Sequence, residues 1–236
     1  MPKFSVIVTE HNSAEWMRKG LDSIRDQTFT DYELIIVCDR CSDNTAEIAR
    51  EYIRPGTDDR VIEADYGRAG LSRNRGLDEA RGEWVLWMDD DDWYLHEFAF
   101  QMISEALDMI KEEGYEIDLL CYSFIWKGQG YTRNEPGRLW PAIWNKCWRL
   151  EFIGEERFPD WKHSDDYGFA LKMHPKARII LFDSPLYYYN FMRPGSISAK
   201  LENGEFDGTD LPPCYQQENG EYVQRLRNAK LGGGLK

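Results

Sequence analysis

Four short strand-like runs, Phe4–Val8, Leu34–Val37, Arg60–Ala64 and Trp84–Met88, recur along the first part of the chain with helix-like segments between them. This alternation constrains the fold more than any other feature, because a strand that returns to its own sheet through a helix must pair in parallel. The intervening segments read as helices. Asn12, with Glu15 three residues on, forms a capping-box-like pair ahead of an apolar stripe at Trp16, Met17, Leu21 and Ile24. Ser42 or Asp43 caps a second helix carrying Ala46, Ile48, Ala49, Tyr52 and Ile53, and Leu71–Ala80 is a third, closed by Gly82. The expected architecture is α/β, with a Rossmann-like, mostly parallel central sheet flanked by helices.

In such sheets ligands collect at the carboxyl ends of the strands. Here the first strand ends in Thr9-Glu10, the second in Asp39 and the fourth in Asp89-Asp90-Asp91-Asp92. Four adjacent carboxylates repel one another unless a cation or hydrogen-bond donors compensate them. On an extended chain Asp89 and Asp91 share one face and Asp90 and Asp92 the other. Two like-facing carboxylates suit a hard divalent ion; an acidic turn with one Asp capping the next helix is the competing reading.

The net charge of −13 argues against nonspecific binding to nucleic acid or anionic lipid. Arginines nevertheless cluster at Arg68, Arg73, Arg75 and Arg81, a local setting for a small anion. The five cysteines are odd in number and irregularly spaced, with one C-x-x-C at Cys38 and Cys41, and read as free thiols. The sequence shows neither a secretory leader nor an apolar run of membrane-spanning length, and reads as soluble and cytoplasmic; peripheral membrane association needs no spanning helix.

The second half is less regular. A helix over residues 98–111 precedes a strand at residues 117–124, an aromatic and Gly-rich stretch at 126–148, and two late strands at 179–182 and 186–189. The expected organisation is one domain over 1–200, with a nucleotide-sugar-binding half (1–93) and an acceptor-side half (94–200), followed by a partly flexible C-terminal extension (201–236).

Read together, the motifs resemble a known family. Phe4 to Asn12 resembles the opening strand and "P-T-Y-N" turn of the inverting nucleotide-sugar glycosyltransferases of family 2, which have the GT-A fold. Residues 35–43 resemble "i-i-V-D-D-G-S-T-D", Leu71 to Gly76 "A-A-R-N-x-G", and Met88 to Trp93 "L-D-S-D-D-W". Asp165-Asp166 resembles the later "E-D" pair, and residues 186–198 the closing "l-Y-x-Y-R…g-S-i-S".

The resemblance implies a metal-dependent transferase moving a sugar from a UDP-sugar to a saccharide or glycan-lipid acceptor in polysaccharide biosynthesis. It implies that Asp39 accepts the uracil N–H and that Thr9, Glu10 and Asn12 line the same pocket. Asp89 then stands near the ribose, Asp91 is the ligand of Mn²⁺ or Mg²⁺ at the diphosphate, and Asp90 is the spacer of the motif within the nucleotide site. Asp166 is the implied general base, since an acceptor hydroxyl needs its proton removed as it attacks. Arg73 and Arg193 are candidates to steady the phosphates, with Lys146 a further one, and Trp93, Trp140 and Trp161 are candidates to stack on sugars. His11 replaces the usual Tyr, and Arg40-Cys41 replaces Gly-Ser, removing a glycine from a turn. A nucleotidyltransferase shares the alternation but carries a Gly-rich phosphate loop, and residues 9–13 contain no Gly. A non-catalytic nucleotide-sugar- or glycan-binding member of the family is the other alternative.

Overall fold

The computed structural model describes residues 1–200 apart from 138, 192, 195, 197 and 198. The expected C-terminal extension, with Cys214, lies outside the described residues. The alternation folds as β1 (Phe4–Glu10), α1 (Met17–Arg25), β2 (Tyr32–Asp39), α2 (Thr45–Arg50), β3 (Arg60–Ala64), α3 (Ala69–Glu79) and β4 (Trp84–Asp89). These strands pair in parallel in the order β3-β2-β1-β4, placing Thr9 beside both Val37 and Asp89. The carboxyl ends of β1, β2 and β4 therefore form one edge carrying Glu10, Asp39 and Asp89.

The sheet continues with β5 (Trp93–Tyr94), β6 (Leu119–Trp126), β7 (Gly130–Thr132), β8 (Lys146–Arg149) and β9 (Ile179–Tyr189), in the order β4-β8-β6-β9-β5, with β7 on β6. Here the pairing is mixed: β8 runs antiparallel to β4 and β6, while β9 runs parallel to β6. The two late strands expected from sequence are one strand. Its register against β6 jumps between Tyr122↔Phe182 and Ser123↔Pro185, where Pro185 has no N–H for the ladder.

Helices cover both faces. Met17, Leu21 and Ile24 of α1, Ile48 of α2 and Phe100, Ile103 and Leu107 of α4 (Ala99–Glu112) bury against one side. Leu77 of α3, Ile153 of α5 (Leu150–Ile153), and Phe169 and Met173 of α6 (Asp165–Met173) bury against the other. Gly76 lets α3 approach the sheet, since a Cβ there would lie 2.5 Å from Ile7 Cγ2.

Two helix-start expectations need correction. Asn12 does not cap α1: it sits at φ 48 and its Oδ1 accepts from Ser42 N (2.7 Å) and Ser42 Oγ (3.1 Å), joining the loops after β1 and β2. The first turn of α1 closes instead on the carbonyl of Ser13, which accepts from Trp16 and Met17 N–H. Neither Ser42 nor Asp43 is the cap of α2: Asn44 holds that position, with Asp43 accepting from Thr45 N at 3.1 Å beside it, and the helix ends at Arg50, before Tyr52 and Ile53.

Candidate active site

The carboxyl edge collects the carboxylates singled out in the sequence, with more order than four repelling charges. Strand β4 ends at Asp89, so the alternating faces expected for the quartet do not persist. Asp92 N–H turns back to Asp89 O at 3.3 Å. Asp90 and Asp91 instead face one cation: Arg193 Nη2 donates to Asp90 Oδ2 (2.9 Å) and Nε to Asp91 Oδ2 (2.6 Å). Burial, and then the charge of Asp90, push the Asp91 carboxyl up to about 7. Asp90 is raised too, chiefly by burial and against the pull of Arg193.

Asp92, whose contact sequence left unassigned, is wholly buried. It accepts from Tyr187 Oη at 2.9 Å and from Asn190 N at 2.7 Å. Tyr187 Oη in turn accepts the Asp89 N–H at 3.2 Å. This clamp ties the acidic turn to the end of β9, three residues before Arg193. Tyr187 and Asn190 are the contributors that sequence reasoning gave no role. Tyr187 lay within the closing motif, but nothing local pointed to its partner Asp92, far off along the chain.

Asp39 has a prior task. Its Oδ1 accepts from Tyr66 N (2.7 Å), and its Oδ2 from Arg68 N (3.1 Å) and Ser72 Oγ (2.9 Å). It therefore shapes the loop after β3 and retains roughly one of a carboxylate's four acceptor positions for a ligand. Its backbone carbonyl accepts from His11 Nδ1 at 2.7 Å. Thr9 is half-buried on the same edge, and Glu10 is buried beneath it. Ser13 Oγ donates to Glu10 Oε2, while Oε1 has no partner among the described residues; burial first, and Asp90 second, raise the carboxyl well above its ordinary range. Arg40 adopts φ 52, so the left-handed turn survives the loss of glycine in a residue for which it is strained.

Arg73 is not a solvated helix residue. It is buried between the two halves of the sheet, donating through Nη2 to Asp89 Oδ1 (2.8 Å) and through Nη1 to Asp165 Oδ2. Asp165 opens α6, and Asp166 follows with its Oδ1 accepting from Tyr167 N at 2.8 Å. Dense surroundings, then the charge of Asp165, push Asp166 up to about 6, with Arg73 opposing. Gly70 admits this approach, because a Cβ there would meet Asp165 Cβ at 2.9 Å.

Other candidates lie elsewhere. Lys146 is fully buried, and its Nζ donates to Trp140 O (2.6 Å), Ala142 O (2.5 Å) and Asn145 Oδ1 (2.8 Å). It braces the loop before β8 and faces no open phosphate site; burial lowers its ammonium to about 8. Trp93 is stacked on Tyr188 at 4.1 Å, with Lys19 Nζ 3.2 Å from its ring centroid. Trp140 packs edge-on against Phe124 and Trp126, and Trp161 lies over α6 where Gly168 makes room. All three rings are partly buried.

The donor set for a cation is all-oxygen and strongly acidic, which fits Mg²⁺ or Mn²⁺. Among the described residues no three acidic, His or Cys side chains form a group able to hold a metal unaided. An ion would share Asp91 with oxygens of a bound ligand. No helix among the described residues is long and apolar enough to cross a membrane.

The chain is similar to known proteins. The family model for glycosyl transferase family 2 matches residues 5–171. The putative glycosyltransferase EpsH of Bacillus subtilis (strain 168) is 30% identical over 215 residues, covering 80% of this chain and 60% of EpsH. Poly(ribitol-phosphate) beta-N-acetylglucosaminyltransferase TarS of Staphylococcus aureus (strain Mu50 / ATCC 700699) is 28% identical, over 83% of this chain and 36% of TarS. The structure of S. aureus TarS 1-349 in complex with UDP-GlcNAc superposes with a TM-score of 0.69 at 26% identity, over 84% of this chain and 60% of that one. The chain thus spans less than two thirds of the length of these relatives.

Proposed function

The chain belongs to glycosyl transferase family 2, and from that membership we propose that it moves a sugar from a UDP-sugar to a saccharide or glycan-lipid acceptor, with inversion and with Asp166 as general base. The observation that carries this reading is the Asp89–Arg73–Asp165 bridge, which brings the start of α6 against the edge where β1, β2 and β4 end. One side of that junction offers oxygens for a nucleotide, and the other offers the Asp166 carboxylate, which pairs with no cation among the described residues. The UDP-GlcNAc complex of TarS supports a UDP-sugar donor.

In this reading Asp39 meets the base with its remaining acceptor position, beside Thr9, Glu10 and Asn12. Asp89 and Asp90 border the ribose and diphosphate. Asp91 and the diphosphate would hold Mn²⁺ or Mg²⁺, which supplies Lewis-acid stabilisation of the departing UDP. Arg193, paired with Asp90 and Asp91, would exchange that pairing for the phosphates as the donor binds. Asp166, raised to about 6, is ionised at neutral pH yet basic enough to accept the acceptor hydroxyl proton as the new bond forms. Direct displacement by that hydroxyl inverts the anomeric carbon, and no covalent intermediate is required. Arg73 acts through Asp165 and Asp89 as a positioning residue.

Calorimetry of UDP with and without Mn²⁺ tests the donor side. Wild type is expected to bind more tightly with the metal, and Asp91→Asn to lose that gain. A metal-independent affinity unchanged in Asp91→Asn rules out the metal role. No UDP binding under any condition rules out the donor.

A further inference from the structure

The C-x-x-C at the end of β2 has no part in this chemistry, yet it brackets Asp39. Cys38 is buried as the penultimate residue of β2, and Cys41 is partly exposed just past the turn. Both thiols pack into the same cluster on one face of the sheet. Glu10, whose carbonyl Cys41 Sγ approaches, stands opposite Cys38 in the β1–β2 ladder. The turn that brings them together is fixed from both sides. Arg40 N donates to Ala64 O of β3 at 2.9 Å before the chain swings through φ 52. Beyond it, Cys41 Sγ lies 3.7 Å from Glu10 O and 3.9 Å from Asp39 O.

We propose that Cys38 and Cys41 are a thiol oxidation site, closing a reversible disulfide across the Asp39–Arg40 turn that weakens nucleotide binding. The disulfide itself stands on the geometry of the pair; its effect on binding rests on the donor reading above. The two sulfurs have separate tasks. Hydrogen bonding from Cys38 lowers the Cys41 thiol to about 7, so the accessible member is the nucleophile at neutral pH. Cys38, raised by the same contact and by burial, stays protonated until it resolves the intermediate.

The oxidant class is a small disulfide such as oxidised glutathione. The Cys41 thiolate attacks one of its sulfurs, breaking the S–S bond and releasing one thiolate, which solvent protonates. Cys38 then loses its proton to water and attacks the Cys41 sulfur, releasing the second small thiol. Two protein thiols are oxidised and one small disulfide is reduced to two thiols.

A covalent S–S bond of about 2.05 Å draws the two sulfurs together, so the turn must tighten. Asp39 sits inside that turn. Its carbonyl holds His11, and its carboxylate holds Tyr66, Arg68 and Ser72, so displacement of Asp39 reaches both loops around the base site.

The test equilibrates the full chain in glutathione buffers of graded potential. Peptide mass spectrometry reads the bond, and calorimetry reads UDP affinity. A Cys38–Cys41 disulfide should form, UDP affinity should fall by about tenfold, and dithiothreitol should restore it. Cys38→Ala and Cys41→Ser should bind UDP equally in reducing and oxidising buffer. Cys41 carrying glutathione with Cys38 left as a thiol, or both remaining reduced, overturns the pair. A fully formed disulfide with unchanged UDP affinity overturns the coupling. Reduced protein that does not bind UDP refutes the donor reading, while the mass measurement still judges the disulfide.

Discussion

In the parallel half of the sheet, β1 to β4, the chemically important side chains stand at strand ends, and near neighbours in the fold satisfy them. Asp39 is held by loop N–H groups after β3, and Asn12 by Ser42. In the mixed half, β5 to β9, buried charge is satisfied through whatever the tertiary fold delivers. Lys146 is caged by two carbonyls and an amide, and Asp118 is shared by Arg149 and Arg178. The first pattern repeats from strand to strand and is tied to local geometry. The second is a set of separate solutions, Lys146 reaching only to residues just before it and Asp118 reaching arginines 31 and 60 residues on. Arg73 is where the two meet, since one guanidinium serves Asp89 of the first half and Asp165 of the second.

The largest expected effect comes from cutting that junction. Arg73→Met leaves Asp89 and Asp165 without their shared cation, and urea unfolding should show a loss of about 3–5 kcal/mol, as for a broken buried ion pair. A loss below about 1 kcal/mol would mean that the halves are joined by packing alone.

The next effect is on rate. Asp166 must be ionised to accept a proton, and its carboxyl sits at about 6. Turnover at low substrate should therefore fall about tenfold for each pH unit below that value. A profile flat from pH 7 to pH 5 would exclude it as the base.

Asp118→Asn probes the mixed half alone. Asp118 accepts from Arg149 Nη2 (2.6 Å) and Arg178 Nε (2.9 Å), and the Arg178 hydrogen bond above all lowers its carboxyl to about 2. With Arg178 half-exposed, the variant should lose about 1–2 kcal/mol at pH 7. A carboxyl lowered in the folded state stabilises fully above its unfolded value near 4 and loses that contribution as pH falls toward about 2. The gap between wild type and variant should therefore narrow over that window in acid-titrated unfolding, with UDP affinity unchanged throughout. A gap that is constant with pH would remove the electrostatic explanation.

The smallest effect tests the parallel half. Arg40→Gly relieves left-handed strain but gives up an exposed pair with Asp65 and adds chain entropy to the unfolded state. Stability should move by less than about 0.5 kcal/mol. A larger loss would show that Arg40 anchors the loop after β3.

How much the sequence revealed follows the same division. The limits of β3 and the carboxyl-edge positions of Glu10, Asp39 and Asp89 were legible, because apolar runs ending in polar residues have a period and a direction. The alternation of the Asp quartet was misjudged, because nothing local signals that β4 stops at Asp89 and the chain turns. Asn12 resembled a helix cap because its spacing to Glu15 is right, but the left-handed turn aims it at Ser42. For Lys146, Trp93 and Trp140, side-chain type alone cannot reveal the carbonyl cage or the neighbouring rings that the fold supplies. The Arg73–Asp165 pair joins residues 92 apart in sequence and was invisible before the fold.

The central claim is that nucleotide binding and proton removal reside on opposite sides of the Arg73 junction, and Asp166→Asn tests it most directly. Calorimetry with UDP and Mn²⁺ should give the wild-type affinity, while sugar transfer falls by about 10²–10⁴-fold. Because the raised carboxyl favours the protonated folded state, the neutral variant should be no less stable than wild type at pH 7. Transfer retained at the wild-type rate, or UDP affinity lost together with it, would contradict the account.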